Sequence, residues 1–316
     1  MPWVLLTDDL LDPLVDFLGP LEARCVSFTE RLVYGDSLRV PAPGHSSVHI
    51  YLEDDGTIGA AVMQRAGGVF HPVLAERRAD LESGLLAAIR RQSRRVYSVM
   101  GRTEDVLALE SVFRKSPLQA VDYCQMTRPV SAVARGGASD DSYGAMPAET
   151  EHKSSEDAAP GGAGKPTPLH RMPSGLTIRR ATPLDTELLF DIQRQYEIEE
   201  VLLPGNAFNA AASRQHLRET LRQQMVLFAE IAGTAVAKAG TNARGLCYDQ
   251  IGGVFTEPRF RSRGISTMLM TRLLGDLARD GKGASLFVKY GNHAALRLYR
   301  KLGFKEEGGF RISYYR

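Results

Sequence analysis

The two halves of this chain repeat one order of predicted elements, and this repeat constrains the fold more than any other sequence feature. The tetrapeptide Gly-Gly-Val-Phe occurs at residues 67–70 and again at residues 252–255. In each half a predicted hairpin precedes it, and a helix, a strand, a second helix and a final strand follow. A four-residue match in a glycine-rich chain could arise by chance, but the matched element order favours an internal structural repeat.

Strands that alternate with amphipathic helices predict an α/β fold with a mixed sheet. In the first half, the pattern predicts strands at residues 47–54, 57–64, 67–71, 95–101 and 122–128, with helices at 79–92 and 103–115. In the second half, it predicts strands at 176–181, 225–231, 234–240, 247–256, 284–290 and 310–316, with helices at 184–202, 213–224, 265–281 and 293–303. Thr182 is the predicted N-cap of the first of these helices, with Pro183 at its first position.

Residues 131–174 separate the two halves. Ala, Gly, Ser, Pro and acidic residues dominate this segment, and it has no apolar period. It cannot bury enough apolar surface to offset the entropy lost on ordering, so we predict a flexible linker. The predicted domains are therefore residues 1–130 and 175–316, joined by this linker.

Composition and charge exclude several classes of protein. The net charge is +2, whereas a nucleic-acid-binding domain is usually far more basic. No apolar stretch approaches the roughly 20 residues of a membrane helix, and the first residues do not form a signal peptide. Cys25, Cys124 and Cys247 lack metal-ligand spacing and are interpreted as reduced, mostly buried thiols. We therefore expect a cytoplasmic protein that binds no metal, nucleic acid or membrane.

The stretch PRFRSRGIS, residues 258–266, joins a predicted strand to a predicted helix. Gly264 permits a tight turn, and the first amides of the following helix have no partner within it. These amides lie at the positive end of the helix dipole, where a pyrophosphate binds well. Arg259, Arg261 and Arg263 add guanidinium groups that can bind phosphate oxygens. The residues alone allow two interpretations, a phosphate-binding loop or a solvated basic loop.

This turn resembles motif A of the GNAT superfamily of acetyl-CoA-dependent N-acetyltransferases, whose signature is Gln/Arg-x-x-Gly-x-Gly/Ala. Here the motif runs from Arg261 to Ser266, and the serine stands where the family has Gly or Ala. We expect the serine to adjust the coenzyme contact without abolishing it, since its hydroxyl can donate to phosphate. Downstream, YGNHAALRLYRKLGFKEEG at residues 290–308 resembles motif B. The resemblance covers residues 176–316 and implies a GNAT fold there, with acetyl-CoA as the acyl donor.

The resemblance also implies a role for each matching residue. Main-chain groups of Val254 and Thr256 would pair with the pantetheine arm, and the amide of Phe255 or a neighbour would polarise the thioester carbonyl. Tyr299 matches the tyrosine that protonates the departing thiolate in many relatives, although packing on an apolar helix face is the alternative. The predicted coenzyme-binding residues are Val254, Phe255, Thr256, Arg261, Ser262, Arg263, Gly264, Ile265, Ser266 and Asn292, and the predicted catalytic residue is Tyr299.

The sequence does not assign the group that takes a proton from the acceptor ammonium. Several relatives place a glutamate four residues before the position of Val254, but this chain has Gln250 there, which cannot act as a base. The adjacent Asp249 is expected to point to the opposite face of the strand. Residues 197–200 include three glutamates, which form either an acidic rim for a cationic amine or a solvated helix end. A chain of water molecules is a further alternative.

The first half lacks a counterpart of the arginine-rich turn. Its predicted helix has no glycine near its start and carries Glu76, Asp80 and Glu82 there, which repel phosphate. Leu109 aligns with Tyr299, and a leucine cannot donate a proton. We predict a degenerate GNAT-like domain that packs against the second half or shapes substrate entry.

Together these features predict an N-acetyltransferase that transfers an acetyl group from acetyl-CoA directly to a primary amine, at a single active site in the second half. The acceptor would be a small-molecule or peptide amine, no metal would take part, and the protein would be a monomer or a homodimer. One alternative, supported by Gln250, is a non-catalytic acetyl-CoA-binding regulator. Another is a nucleic-acid-binding module that uses residues 90–95 and 259–263, against which the low net charge argues.

Overall fold

The computed structural model describes residues 3–34, 46–76, 84–85, 96–113, 116–130 and 174–315. Within these ranges the chain forms one mixed sheet of 12 strands flanked by helices, which confirms the predicted α/β class. The linker predicted at residues 131–174 and the helix predicted at 79–92 lie almost wholly outside the described residues. The three cysteines are free, with Cys25 and Cys124 buried and Cys247 exposed.

The first half begins with a short strand and two helices that the sequence analysis did not predict. The elements are β1 (Trp3–Leu5), α1 (Leu11–Leu18), α2 (Val26–Tyr34), β2 (Ser47–Leu52), β3 (Ile58–Arg65), β4 (Val69–Leu74), β5 (Ser98–Arg102), α3 (Thr103–Val112) and β6 (Gln119–Arg128). The predicted β2–β3 hairpin is present, and Gly56 in its turn has a φ of 85°, which favours glycine. Helices α1 and α2 cover one face of this hairpin, where Leu14, Phe28 and Ile50 are fully buried.

The second half contains the predicted strands and helices, with small changes at their ends. The elements are β7 (Thr177–Arg180), α4 (Thr186–Tyr196), α5 (Ala210–Gln223), β8 (Val226–Ile231), β9 (Thr234–Arg244), β10 (Tyr248–Thr256), α6 (Ile265–Arg279), β11 (Gly283–Lys289), α7 (His293–Lys301) and β12 (Lys305–Tyr314). Thr182 caps a 3₁₀ turn at Pro183–Asp185 that leads into α4, through a capping box with Asp185, whereas the N-cap position of α4 itself is Asp185 and not the predicted Thr182. Helices α6 and α7 pack on one face of the sheet, and α4 and α5 pack on the other.

The last strand of each half lies beside the other half. The sheet runs β1-β2-β3-β4-β5-β12-β6-β11-β10-β9-β8-β7. Strand β12 pairs with β5 and β6, and β6 pairs with β12 and β11, antiparallel in every case. Phe310 of the second half therefore lies opposite both Arg102 and Tyr123 of the first. Because the strands are exchanged, separation of the halves would leave unpaired strand edges on both.

The two Gly-Gly-Val-Phe copies occupy different places in the fold, so the tetrapeptide itself is not a structural repeat. Gly67 and Gly68 lie in the turn before β4, with φ of 89° and 82°. The second copy lies inside β10, where the ladder to β9 is interrupted between Gly252 and Phe255. The element order does repeat, because in each half a parallel strand pair, a helix and a final antiparallel strand follow one another.

Carboxylates of the first half also hold the second. Glu22 is buried and accepts hydrogen bonds from the backbone amides of residues 246–248, in the turn between β9 and β10. Glu30 of α2 accepts from the Arg244 amide at 2.9 Å.

Among the described residues, no helix is both long and apolar enough to span a bilayer.

Candidate active site

A cavity of about 920 Å³ opens where β10 and β11 separate. These parallel strands pair only as far as Ile251 and Leu286, and beyond that point they diverge. The wall is formed by both strands, the starts of α6 and α7, the turn after α4, and strands β6 and β12. All the residues predicted for the site line this cavity, namely Val254, Phe255, Thr256, Arg261, Ser262, Arg263, Gly264, Ile265, Ser266, Asn292 and Tyr299.

The turn at the start of α6 has the backbone of an anion cradle. Gly264 has a φ of 77° and precedes the first helical residue, and Ser262 also has a positive φ of 61°. The first hydrogen bond within α6 runs from the Met268 amide to the Gly264 carbonyl, so the amides before it have no acceptor within the helix. The Arg261 amide is the exception in the predicted set, because it donates to the Pro258 carbonyl at 3.3 Å.

The arginine side chains around this turn are largely held by neighbouring groups. Arg261 donates to both carboxylate oxygens of Glu199 at 2.8 Å and to the Thr256 carbonyl at 3.0 Å. Arg259 pairs with Glu257 at 2.6 Å. The guanidinium of Arg263 lies 5.6 Å from the Phe260 ring centroid. Backbone amides, rather than three free guanidinium groups, are therefore the main donors that the turn offers to an anion.

The hydroxyl of Ser266 is hydrogen-bonded inside the turn. It lies 2.7 Å from the Thr256 hydroxyl, and either oxygen can be the donor. The pair connects the end of β10 to the first turn of α6. Since only one of the two protons is used between them, the other stays available for a ligand oxygen.

Strand β10 contains a bulge at the point where the cavity begins. Gly253 has a φ of 62°, and the register to β9 shifts between Gly252 and Phe255. A bulge removes peptide groups from the ladder and re-aims them. The main-chain groups near Val254 are consequently directed at the opened strand pair, where an extended ligand could pair with them.

Tyr299 lies on α7 and faces the cavity from a buried position. Its ring is 5.8 Å from that of Phe304. Burial raises the pKa of the phenol, with smaller contributions from Tyr196 and Glu200, so the hydroxyl carries its proton across the physiological range. At the start of the same helix, the side-chain oxygen Oδ1 of Asn292 accepts a hydrogen bond from the Ala295 backbone amide at 3.1 Å. This cap uses the oxygen and leaves the amide nitrogen for the cavity.

None of the candidate general bases is a free carboxylate: position 250 carries a glutamine instead of a glutamate, and Asp249, Glu199 and Glu200 are each paired with a cation. Gln250 donates to the Asn242 side chain at 2.7 Å. Asp249 is fully buried and pairs with Arg244 and Lys282, away from the cavity, as the strand alternation predicted. Of the three glutamates after α4, Glu199 and Glu200 line the cavity in a π-helical turn at Glu197–Val201. Glu200 pairs with Lys289 at 3.0 Å.

The first half contributes residues that the sequence analysis missed. Gln119, Val121 and Tyr123 of β6 line the cavity because the strand exchange places β6 beside β11. Burial raises the pKa of Tyr123 to about 12, with Tyr314, Tyr196 and Glu200 as further causes. Leu109, the counterpart of Tyr299, is instead buried in the core of the first half. No local pattern could reveal this contribution, because it depends on strand pairing between the halves.

Across the described ranges, no cluster of His, Cys, Asp and Glu is arranged to hold a metal ion. The described residues that line the cavity offer backbone donors, phenols and paired carboxylates around one opened strand pair. Such a site can bind a linear ligand that carries a phosphate at one end, and can present a proton from a phenol at the other.

Comparison with known proteins places the second half in an enzyme family. Residues 189–304 match the family described as "Acetyltransferase (GNAT) family". The N-alpha-acetyltransferase RimI of Mycobacterium tuberculosis is 31% identical over 144 residues, which span 45% of this chain and 85% of RimI.

Two solved structures resemble the whole chain. A Drosophila protein aligns over 99% of this chain and 98% of its own, with a TM-score of 0.64 and 12% identity. A tandem GNAT protein from the clavulanic acid biosynthesis pathway, solved without AcCoA, aligns over 99% of this chain and 98% of its own, with a TM-score of 0.52 and 12% identity. At such identities the likeness concerns the fold alone, and it covers both halves.

Proposed function

The chain belongs to the acetyltransferase (GNAT) family, and from this premise we propose that it transfers an acetyl group from acetyl-CoA directly to a primary amine. The observation that carries the proposal is the junction of the Gly264 turn with the β10 bulge in one cavity. The first offers amides to a pyrophosphate, and the second offers unpaired peptide groups to the arm that bears the acetyl group. The coenzyme site and the groups that act on the thioester are then in the second half alone.

The residues present suit this coenzyme. The amides of residues 262–266 would hold the pyrophosphate, assisted by the Thr256–Ser266 hydroxyl pair. Main-chain groups of Val254 and Thr256 would pair with the pantetheine arm between the diverging strands. The Asn292 amide nitrogen would contact the coenzyme from the start of α7. Bound there, acetyl-CoA supplies a thioester carbonyl that a neutral amine can attack.

Two groups of the chain would act on that carbonyl. A backbone amide at the bulge, from Phe255 or its neighbour, would donate to the oxygen as negative charge develops on it. Tyr299 would give its proton to the departing thiolate, and its raised pKa keeps that proton on the phenol until it is needed. Because Gln250 is not a base, the acceptor's proton would leave through solvent in the cavity.

The acceptor would enter on the side lined by both halves. Tyr123, Tyr196, Tyr314 and Glu200 line the cavity there, and the carboxylate of Glu200 pairs with Lys289. Phenols and a carboxylate favour a cationic or hydrogen-bonding amine next to an apolar group. Since RimI is named an N-alpha-acetyltransferase, peptides with a free α-amine are the first acceptors to test, ahead of small-molecule amines.

Thermal stability tests coenzyme binding. A ligand at 100 times its Kd stabilises a protein by about 2.7 kcal/mol, which raises the Tm of a protein of this size by about 4 °C. Gly264→Glu places a side chain and a negative charge in the turn and should abolish the shift. Gly281→Glu is the matched control, because Gly281 ends the same helix with a φ of 72° and has open space around it. No shift in the wild type at saturating acetyl-CoA would contradict the proposal.

Thiol release across a panel of peptides and amines tests the chemistry. Tyr299→Phe should lower kcat at least tenfold without weakening acetyl-CoA binding, since only the transferable proton is lost. The paired state of Gln250 favours a second candidate, a regulator that binds acetyl-CoA without turnover. That candidate predicts coenzyme binding with no thiol release for any acceptor and no effect of Tyr299→Phe.

We further propose that the first half contributes to the acceptor side and has no coenzyme site of its own. The domain boundaries 1–130, 131–174 and 175–316, a cytoplasmic location, and a monomeric or homodimeric state belong to the same proposal. These boundaries divide the chain into two halves that share one sheet, because β6 of the first half lies between β11 and β12 of the second. A second half produced alone would lack this strand.

A further inference from the structure

Lys238 of β9 is buried directly behind the bulge of β10. It lies opposite Phe255 in the ladder, and its side chain is 6% exposed. Its Nζ is 4.4 Å from the centroid of the Tyr196 ring. A Cβ added to Gly253 would lie only 2.9 Å from that Nζ, so the glycine allows the ammonium to approach the bulged backbone. Tyr196 and Gly253, which both approach the ammonium, line the cavity, whereas Lys238 is not among its lining residues.

A buried ammonium at this place is costly for the fold. Lysine is among the residues least often buried, and an apolar side chain of similar length would avoid the loss of hydration. The titratable groups that face Lys238 are Tyr196 at the end of α4 and Glu197 in the following turn. Glu197 already accepts hydrogen bonds from Gln193 and Ser213. Burial lowers the pKa of Lys238 to about 8, and Glu197 offsets only part of this effect.

We propose that Lys238 is a positioning residue for acyl transfer, whose charge acts through the β10 bulge on the thioester oxygen. The inference rests on the proposed function and deepens it. In the step concerned, the nitrogen lone pair of the acceptor forms the C–N bond while the carbonyl π pair moves onto oxygen. When that pair returns, the C–S bond breaks and the thiolate takes the Tyr299 proton, while the nitrogen releases its extra proton to solvent, from which the Tyr299 phenolate is reprotonated. The Lys238 charge stabilises the oxyanion between these two events.

The same charge also favours a neutral acceptor. A second cation brought close to Lys238 is repelled, so the bound acceptor ammonium loses its proton more readily than in water. This effect suits a site whose position 250 carries an amide instead of a carboxylate. The neutral amine is then held by the phenols around the cavity, while Lys238 remains behind the wall formed by Gly253.

The test compares the wild type with Lys238→Met, which keeps the length and apolar stem of the side chain and removes its charge. The kcat of the wild type should exceed that of the variant about tenfold or more at pH 7. This ratio should fall toward one above about pH 8, as Lys238 loses its proton. Lys305→Met, at an exposed position on β12, is the matched control and should leave the ratio near one. A ratio near one for Lys238→Met at pH 7, or a large ratio that does not change with pH, would overturn the inference.

A second readout does not need turnover. Acetyl-CoA labelled with ¹³C at the carbonyl is bound to each protein, and its carbonyl resonance is followed by NMR from pH 6.5 to 9.5. In the wild type the resonance should titrate with a midpoint near pH 8, and in Lys238→Met it should not titrate. If the wild type binds acetyl-CoA and transfers its acetyl group, but the carbonyl resonance does not change with pH, the inference alone fails. If the wild type does not bind the labelled coenzyme, the proposed function fails and the inference fails with it.

Discussion

Glu22 of the first half accepts hydrogen bonds from three consecutive backbone amides of the second half. The distances from its carboxylate oxygens to the nitrogens of Leu246, Cys247 and Tyr248 are 2.5, 2.6 and 3.1 Å. The side chain is 1% exposed, and a Cβ at Gly245 would collide with it. The contact orders the turn between β9 and β10, immediately before the strand that carries the bulge. We predict that this carboxylate is a major link between the halves.

The size of the effect follows from these three bonds. A hydrogen bond to a charged group contributes about 1.5–3 kcal/mol. A side-chain amide that replaces the carboxylate has one acceptor oxygen instead of two. Glu22→Gln turns an N–H₂ group toward amides that are themselves donors, so at least one bond is lost and one repulsive contact appears. Because the turn is partly exposed, water recovers some of the loss. We expect Glu22→Gln to lower the free energy of unfolding by about 2–3 kcal/mol and Glu22→Ala by about 3–4 kcal/mol.

Urea unfolding measures this change. Trp3, the single tryptophan, lies in the first half and reports its unfolding by fluorescence, while circular dichroism follows the whole chain. Both signals should shift together, because the halves share one sheet. Glu219→Gln is the control, since the Glu219 side chain is 39% exposed and, among the described residues, pairs with neighbours on its own helix, so it should change the stability by less than about 0.5 kcal/mol. A Glu22→Gln variant as stable as this control would refute the reasoning.

Three further predictions concern single residues. Burial lowers the pKa of Lys238 from 10.5 to about 8, so the unfolded chain binds more protons between these values. The free energy of unfolding should therefore rise from pH 8 to pH 10.5 by up to about 3 kcal/mol, and urea titrations of Lys238→Met should not show this rise. Burial likewise lowers the pKa of His71 from 6.5 to about 4, so stability should fall as the pH drops from 6.5 to 4, and His71→Leu should remove this part of the acid sensitivity. Tyr123→Ala should raise the KM for the acceptor several-fold while calorimetry finds an unchanged Kd for acetyl-CoA. An unchanged KM would contradict the proposal that the first half takes part in acceptor binding.

Much of the second half could be predicted because its signals are local. Thr182 and Asp185 cap the 3₁₀ turn ahead of α4 through their own side chains, and Gly264 adopts the positive φ that the turn before α6 requires. Because that turn leads directly into α6, residues 261–266 lie at the start of the helix. Tyr299 faces the cavity because of its place on an amphipathic helix. Each of these features depends on residues that are close together in the sequence.

The rest depends on contacts between distant segments. A strand such as β6 has the same side-chain alternation whether its neighbour is β5 or β11, so the exchange of final strands leaves no mark in the sequence pattern. Tyr123 was therefore missed. The three arginines expected to bind phosphate oxygens are also partly engaged elsewhere, because Arg261 is paired with Glu199 from a turn 62 residues away in the chain. Lys238 was not singled out either, since one lysine in an apolar strand carries no local signal of burial.

The crystal structure of the full chain with bound acetyl-CoA tests the central claim most directly. The account predicts the pyrophosphate against the amides of residues 262–266, the pantetheine arm along β10, and the acetyl group between the bulge at Gly253 and the hydroxyl of Tyr299. Electron density for the coenzyme in the first half, or in the second half with the turn at Gly264 empty, would contradict it.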